Sequence, residues 1–211
     1  MEYRQLARTG RDGTRLAHNC CEGHGSSSVL SVLVVAATDR ELAFVTGAET
    51  LRCGVGPVDA AAATALALAE RPRRAVLHIG IAGARTLDPP ALVLGSESVY
   101  CDLLDPGSSF PRVERAAPDA ALLAAARRAL PDARLLPIGT SGRVGGGGHC
   151  EVEAMEGFGV LRAAALAGVP ALELRAVSNR IDENDRGQWR IDEALAALAA
   201  ATATLIEAFD A

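Results

Sequence analysis

Apolar runs alternate with polar and glycine-rich stretches along most of the chain. Residues 29–37 are β-branched and apolar, which is typical of a central strand buried on both faces. Shorter runs of the same kind predict further strands at 75–79, 92–99, 134–138 and 171–177. Alanine-rich segments with apolar side chains at helical spacing predict helices at 58–70, 120–130, 160–167 and 192–209. This order predicts an α/β sandwich with a largely parallel sheet.

Turn and capping residues mark where the predicted elements begin and end. Thr38 or Asp39 can cap a helix that carries Glu41, and Pro57 suits a first helical position. Gly168 is expected to end the helix before it. The glycines of 80–84 predict a tight turn after the second strand run, where a ligand could approach backbone N–H groups.

Composition limits the classes of partner. With 211 residues, 49% of them hydrophobic, the chain can form one domain with a substantial core, which we place at 29–211. Residues 1–28 lack periodicity and are expected to form a flexible N-terminal extension. The net charge of -5 without a basic stripe argues against nucleic acid or a membrane surface, so a small molecule is the expected partner. Without an export signal or spanning segment, we expect a cytoplasmic protein.

The five cysteines are an odd number and are scattered, which favours reduced thiols over a disulfide framework. His18, Cys20, Cys21 and His24 form the string HNCCEGH, whose soft ligands suggest zinc. Its spacing is not that of a known zinc finger or ribbon, so a flexible leader is the preferred interpretation. We therefore predict no metal and no cofactor.

Three side chains rich in hydrogen-bond acceptors fall at predicted strand ends or just after them, namely Glu41, Glu156 and Asn179. Each alone has a structural interpretation, as a solvated helix residue, a partner of a helix dipole and a turn former. Asn179, with Ser178, is expected just past the end of the strand at 171–177. Ligands of open α/β sheets lie at such strand ends, so the convergence of the three predicts a binding site.

The motifs VLVVAATDREL, CGVGPVDAAAA, HIGIAGA and EAMEGFGVLRAAALAGVPALELRAVSN resemble the purine nucleoside phosphorylase and nucleosidase superfamily. Within it they resemble the bacterial futalosine hydrolases of menaquinone biosynthesis. The resemblance covers nearly everything from Val29 onward. It implies a three-layer α/β/α sandwich with a mixed, largely parallel central sheet and hydrolysis of futalosine with release of hypoxanthine. It also implies a homo-oligomer in which the loop at 101–118 and Phe110 lie near a neighbouring site.

The resemblance also implies residue roles. Glu41 would activate water, Met155 and Glu156 would hold the ribose, and Asn179 would contact the purine. The remaining substrate-binding positions would be Ile81, Ala82, Gly83 and Ser178. An amide can donate to a 6-oxygen and accept from an N7–H, so Asn179 favours a 6-oxopurine leaving group. Relatives have a longer segment forming a wall over the base, where this chain has the glycine-rich 143–149. The residues stacking on the purine are therefore not identifiable from the sequence.

Two features favour water over phosphate as the nucleophile. Ile81 has no side-chain donor, and Glu41 would repel an anion, although Arg40 places a basic side chain beside the site. Within the enzyme class, the alternatives are a methylthioadenosine or adenosylhomocysteine nucleosidase, or another purine nucleosidase or phosphorylase. A purine-nucleoside-binding protein without turnover is the alternative from another class. The presence of Glu41, Glu156 and Asn179 together argues against it, since binding alone does not require a water-activating carboxylate.

Overall fold

The computed structural model describes residues 31–103 and 109–210. The predicted extension at 1–28, with its histidine and cysteine string, lies outside these residues, as do positions 29 and 30. The strands are β1 (Val32–Ala36), β2 (Glu49–Arg52), β3 (Ala75–Ala84), β4 (Leu92–Tyr100), β5 (Arg115–Ala116), β6 (Arg134–Thr140), β7 (Val152–Ala154) and β8 (Ala171–Arg180). The helices are α1 (Asp39–Leu42), α2 (Pro57–Glu70), α3 (Ala120–Ala129), α4 (Gly157–Ala167) and α5 (Ile191–Asp210), with a 3-10 turn at Arg186–Gln188.

The predicted caps are present. The Thr38 hydroxyl accepts the N–H of Glu41, and the Glu41 carboxylate accepts the N–H of Thr38, which fixes the start of α1. Pro57 is the first residue of α2. Gly168 ends α4 with a φ of +69°, a left-handed conformation that favours glycine.

The sheet is mixed, and five of its strands close into a ring. β1 pairs in parallel with β2 and β3, and β3 pairs in parallel with β8. β4 is antiparallel to β8 and parallel to β6, while β7 is parallel to β6 and antiparallel to β3. The ring β3–β8–β4–β6–β7 was not predicted. The largely parallel, mixed sheet was predicted and is confirmed.

Helices cover both faces of the sheet. α3 and α5 pack on one face, where Leu198 and Leu205 of α5 join apolar side chains of β1, β3 and β8 in one buried cluster. α2 and α4 pack on the other, where Ala60, Val160 and Leu161 join β1 and β3 side chains in a second cluster. The predicted three-layer α/β/α sandwich is therefore confirmed. Within the described residues, no helix combines the length and apolar character needed to cross a bilayer.

Three expectations about where strands end and loops lie were wrong. β8 continues to Arg180 because its pairing with β3 extends to Ala84, so Ser178 and Asn179 lie inside a strand. For the same reason 80–84 belongs to β3, with a register shift between Ala82 and Gly83, and is not a turn. The segment 101–118 contains the short strand β5 and is not wholly a loop. The sequence pattern also missed the short strands β2 and β7.

Candidate active site

A cavity of about 330 Å³ opens at the carboxyl ends of β1, β3 and β8. The structure brings together around it all of the residues that the sequence predicted for the site: Glu41, Ile81, Ala82, Gly83, Met155, Glu156, Ser178 and Asn179. It adds others that were not predicted: Arg143, Val144, Glu153, Arg175 and Trp189. A cavity of this size with few polar groups is suited to a small molecule.

Glu41 is a buried acceptor held by three donors. Its Oε2 accepts from the Thr38 hydroxyl at 2.7 Å and the Thr38 N–H at 3.1 Å. Its Oε1 accepts the N–H of Ile81 at 3.1 Å. The carboxylate is therefore oriented by α1 and β3 together, at the end of the first strand.

Glu156 stands at the start of α4, but its side chain does not cap the helix. Its Oε1 accepts the N–H of Gly56 at 3.2 Å, and its Oε2 accepts from the Arg175 guanidinium at 3.3 Å. Burial raises the pKa of Glu156, and Arg175 and the Gly56 N–H offset this only in part. Because a carboxylate can accept about four hydrogen bonds and these two contacts use only part of that capacity, Glu156 can accept further hydrogen bonds inside the cavity when it is ionised.

Arg175, which is 1% exposed, is the centre of a buried polar network. Its Nε donates to Glu173 at 2.8 Å, and a terminal guanidinium N–H donates to His78 Nε2 at 2.5 Å. Burial and Arg175 lower the pKa of His78 well below its usual value, so a neutral imidazole donates through Nδ1 to the Val35 carbonyl at 3.0 Å. Burial alone would lower the pKa of Arg175, but Glu173 and Glu156 outweigh it and raise it.

Two glycines make room for this network. A Cβ on Gly157 would lie 2.3 Å from both carboxylate oxygens of Glu173, so the glycine of the Met-Glu-Gly motif admits that carboxylate to the start of α4. A Cβ on Gly80 would lie 2.1 Å from Arg175 Nη1. The space at Gly80 is therefore filled by an arginine side chain, whereas the sequence had suggested the approach of a ligand.

Asn179, in β8, also lines the cavity. Its Oδ1 accepts from the Ser178 hydroxyl at 2.9 Å, and its Nδ2 donates to the Arg180 carbonyl at 2.9 Å. One N–H and one acceptor lone pair of the amide remain for a ligand. A Cβ on Gly83 would lie 3.3 Å from Asn179 Nδ2, so glycine permits the close packing of these two neighbouring strands.

The glycine-rich loop, residues 141–149, is irregular as predicted, and it is tied down at two points. Asp102 accepts from the Ser141 hydroxyl and the Gly142 N–H, both at 2.6 Å. Glu153 accepts the N–H groups of Gly145 and Gly147 at 2.6 and 2.8 Å. The loop contributes Arg143 and Val144 to the cavity lining.

Some of the unpredicted residues had a signal in the sequence and others had none. Glu173 and Arg175 are two residues apart in an apolar strand, which puts both on one face, and buried charges must be paired. That pattern could have identified Arg175. Trp189 and Val144 lie in irregular segments, and only the tertiary fold brings them to the cavity. Arg40 also lines it, and its guanidinium hydrogen-bonds Asp192.

Neither a metal cluster nor a reactive thiol is found at the site. Within 31–103 and 109–210, no group of three or more His, Cys, Asp and Glu side chains is placed to hold a metal ion. Cys53 is buried next to the Glu156 carboxylate, and burial raises the pKa of its thiol to about 12. The chemistry of the cavity therefore depends on carboxylate, guanidinium and amide groups.

Comparison with known proteins identifies the family of the chain. A family model described as the Phosphorylase superfamily matches residues 44–148. The futalosine hydrolase of Streptomyces coelicolor is 38% identical over 184 residues, which are 75% of this chain and 78% of that protein. The chain belongs to the futalosine hydrolase family. The family member from Thermus thermophilus is 30% identical over 189 residues, which are 76% of this chain and 82% of that protein.

A solved structure extends the comparison to the fold. A futalosine hydrolase mutant of Helicobacter pylori strain 26695 matches with a TM-score of 0.76 over 85% of this chain and 99% of that chain. Its sequence identity is 15%, so this likeness concerns the fold alone. Family membership therefore rests on the sequence relatives, and the nucleosidase architecture on the structure.

Proposed function

We propose that the protein is a futalosine hydrolase, which cleaves the N-glycosidic bond of futalosine with water to give dehypoxanthine futalosine and hypoxanthine in menaquinone biosynthesis. The observation that carries this proposal is the meeting of Glu41, Glu156 and Asn179 around one cavity in a chain of the futalosine hydrolase family. Each of these three side chains has a separate task in the reaction.

Glu156 and Met155 act on the sugar. Cleavage of an N-glycosidic bond passes through an oxocarbenium-like state, in which positive charge grows on the ribose. The Glu156 carboxylate accepts from the ribose hydroxyls and stabilises that charge. Arg175 holds the carboxylate through the hydrogen bond of 3.3 Å, so it does not turn away from the substrate.

Glu41 acts as the general base toward water. The hydrogen bonds from Thr38 and Ile81 fix its carboxylate, which favours a defined direction of proton transfer. A Cβ on Gly80 would lie 3.0 Å from Glu41 Oε1 and 2.1 Å from Arg175 Nη1, so both charged groups converge on one side of β3. A water beside them would be oriented by one acceptor and one donor.

Asn179 acts on the base. Its remaining N–H can donate to the 6-oxygen of hypoxanthine, and its remaining lone pair can accept from N7–H as the base departs. The variant Asn179→Asp tests this assignment. We expect it to lose hypoxanthine release and gain adenine release from methylthioadenosine. Unchanged hypoxanthine release without any gain of adenine release would show that amide polarity does not select the base.

The contacts of the site favour water over phosphate. Arg175 is already bonded to Glu173, Glu156 and His78, and Arg40 is bonded to Asp192. Ile81 offers a phosphate only its backbone, and the Glu41 carboxylate repels an anion. Base release should therefore proceed in phosphate-free buffer at an undiminished rate.

The decisive experiment incubates the protein with futalosine, inosine and methylthioadenosine, each with and without phosphate, and measures free base. Hypoxanthine release from futalosine without phosphate is expected. Adenine release would instead indicate a methylthioadenosine or adenosylhomocysteine nucleosidase, and strict dependence on phosphate a phosphorylase. Tight binding of hypoxanthine without release from any substrate would indicate a binding protein.

The proposal includes a cytoplasmic homo-oligomer that needs no cofactor. Phe110 is 80% exposed and does not line the cavity of its own chain, which is compatible with a position beside a neighbouring subunit. Sedimentation of the purified chain tests the assembly. A monomer with full hydrolase activity would exclude a contribution of this segment to a neighbour's site.

A further inference from the structure

A buried carboxylate near Asn179, the residue that we propose contacts the base, has no role in the proposed chemistry. Glu153 lies in β7, lines the cavity and is 7% exposed. None of the ion pairs found within 31–103 and 109–210 includes it. Its charge is instead satisfied by the N–H groups of Gly145 and Gly147, at 2.6 and 2.8 Å.

The fit between Glu153 and the glycine-rich loop depends on the absence of a side chain at Gly145, Gly146 and Gly147. A Cβ at Gly147 would lie 2.4 Å from the Glu153 Cβ, and one at Gly146 would lie 2.0 Å from the Ser141 Oγ. Gly145 has a φ of +77°, which favours glycine. The glycines therefore let the backbone approach the carboxylate closely.

The contact between Glu153 and the loop lies next to Asn179, the residue that we propose contacts the base. A Cβ on Gly83 would lie 3.7 Å from Glu153 Cγ and 3.3 Å from Asn179 Nδ2, so both side chains adjoin the same glycine. The loop residues just before this contact, Arg143 and Val144, line the cavity. Gly146, which lies between Gly145 and Gly147, donates its N–H to the Arg143 carbonyl at 3.2 Å. Holding Gly145 and Gly147 therefore also restrains Arg143 and Val144.

We propose that Glu153 is a positioning residue that holds the glycine-rich loop in place, so that Arg143 and Val144 form a fixed wall for the purine base. This inference rests on the proposed function. An ionised acceptor makes stronger hydrogen bonds to N–H groups than a neutral one, and two such bonds fix both the position and the direction of the loop. A wall contacts the base in the substrate and in free hypoxanthine alike, so its loss weakens binding more than it slows the reaction.

The test compares Glu153→Gln with the matched control Glu151→Gln. An amide can accept from only one of the two loop N–H groups, and its own N–H₂ opposes the other. Glu151 lies two residues earlier, and it likewise accepts backbone N–H groups, those of Thr86 and Leu87, but it does not line the cavity. Gly147→Ala keeps the carboxylate but places a Cβ 2.4 Å from the Glu153 Cβ and 2.7 Å from its Oε2, so it pushes the same loop away from Glu153 and is a second variant.

Three quantities are measured for each variant: amide hydrogen exchange at Gly145 and Gly147, the hypoxanthine dissociation constant, and the kinetics of futalosine cleavage. In Glu153→Gln we expect faster exchange at both amides, about tenfold weaker hypoxanthine binding and a matching rise in KM, with kcat within about threefold of wild type. Gly147→Ala should show the same split between KM and kcat. Glu151→Gln should match wild type in all three measurements.

Unchanged amide exchange in Glu153→Gln would overturn the inference, as would faster exchange with unaltered hypoxanthine binding. A large loss of kcat at constant KM, with a changed pH profile, would assign Glu153 to the chemistry and would also overturn it. Absence of hypoxanthine release by the wild-type protein would overturn the proposed function alone. Exchange rates and hypoxanthine binding test the loop without turnover, so the two failures are distinguishable.

Discussion

The two ends of the cavity are held by different kinds of contact. At the end that we propose binds the sugar (the sugar end), Arg175 pairs with Glu156 and with buried Glu173 and donates to His78. Glu41, at the same end, is held by Thr38 and by the Ile81 N–H. At the base end, formed by Asn179, Glu153 and the glycine-rich loop, the contacts run mainly between side chains and the backbone. The ion pairs of Arg175 thus lie where positive charge would develop in the proposed reaction. Backbone N–H groups of the loop instead fix the part of the cavity that we propose binds the leaving group.

This difference suggests what each end contributes. Buried charges are costly unless they are paired, so the sugar end keeps its geometry only while every partner is present. At the base end, a shift of the loop breaks hydrogen bonds to the Glu153 carboxylate but separates no ion pair. Substitutions at the sugar end should therefore reduce the rate or the stability, and substitutions at the base end should reduce affinity.

The largest effect on rate is expected from Glu41→Gln. The amide is close in shape and can still accept the Ile81 N–H, but it cannot take a proton from water. We expect kcat for futalosine to fall about 100-fold or more, with KM within about threefold of wild type. The measurement is hypoxanthine release at saturating substrate. Glu70→Gln, at the exposed end of α2, is the control, and a loss below tenfold for Glu41→Gln would assign the base role elsewhere.

Glu173→Gln should give the largest loss of stability. It removes one of the two carboxylates that pair with the buried Arg175, and breaking a buried pair typically costs about 3 kcal/mol or more. Urea unfolding measures the free energy, and kcat should fall as well because Arg175 no longer holds Glu156 firmly. Glu97→Gln breaks the exposed pair with Arg115 and should cost less than about 1 kcal/mol. Equal losses of unfolding free energy in the two variants would contradict the inference that the sugar end depends on its buried ion pairs.

The sugar end was the more predictable half of the site. Glu41 carried a signal of its own because it follows an apolar run and completes a helix cap with Thr38. Glu156 carried one as a carboxylate at the start of a predicted helix, although its side chain does not cap that helix. The alternating Glu173 and Arg175 in an apolar strand also carried a signal, since two charges on one buried face must be paired. The order of strands and helices along the chain, and with it the largely parallel sheet, followed from the periodicity, whereas the three-layer arrangement was implied by the family resemblance.

At the base end, Asn179 was predicted as a site residue, whereas the loop was predictable only as a glycine-rich segment. The glycine run of 141–149 indicated that no regular element forms, but not that Glu153 and Asp102 would hold the loop. Strand β7 is three residues long, too short for periodicity to show, and the closure of the ring depends on it. Strand ends were also missed, because pairing with a neighbour carries β3 and β8 past the point where their apolar runs stop.

A pH profile sharpens the assignment of Glu156. Burial raises its pKa above the ordinary value of 4.5, so its carboxylate gains a proton at a higher pH than an exposed glutamate does. We expect kcat/KM to fall with decreasing pH along an acid limb that begins above pH 4.5. The residual activity of Glu156→Gln should lack this limb. A limb that persists unchanged in the variant would assign the titration to another group.

The same shift has a consequence for stability, with a sign that can be checked. Because the folded-state pKa of Glu156 is raised, the folded protein holds this proton more tightly than the unfolded chain does. Relative to Glu156→Gln, wild type should therefore lose stability as pH rises from about 4.5 through the folded-state pKa. Urea unfolding of both proteins across this window measures the difference. A wild-type protein that gains stability relative to Glu156→Gln as pH rises through this window would contradict the raised pKa.

The smallest effect is expected from Asp119→Ala, which lies at neither end of the cavity. The Asp119 carboxylate caps α3 by accepting the N–H groups of Ala121 and Leu122, each at 2.9 Å. Its loss should cost about 1 kcal/mol, with Tm lower by about 2 to 4 °C. Asp119→Asn retains an acceptor for the cap, so its free energy of unfolding should stay within a few tenths of a kcal/mol of wild type. Because α3 provides no cavity residue, KM and kcat should be unchanged in both variants, and a changed KM would mean that the base end depends on this helix as well.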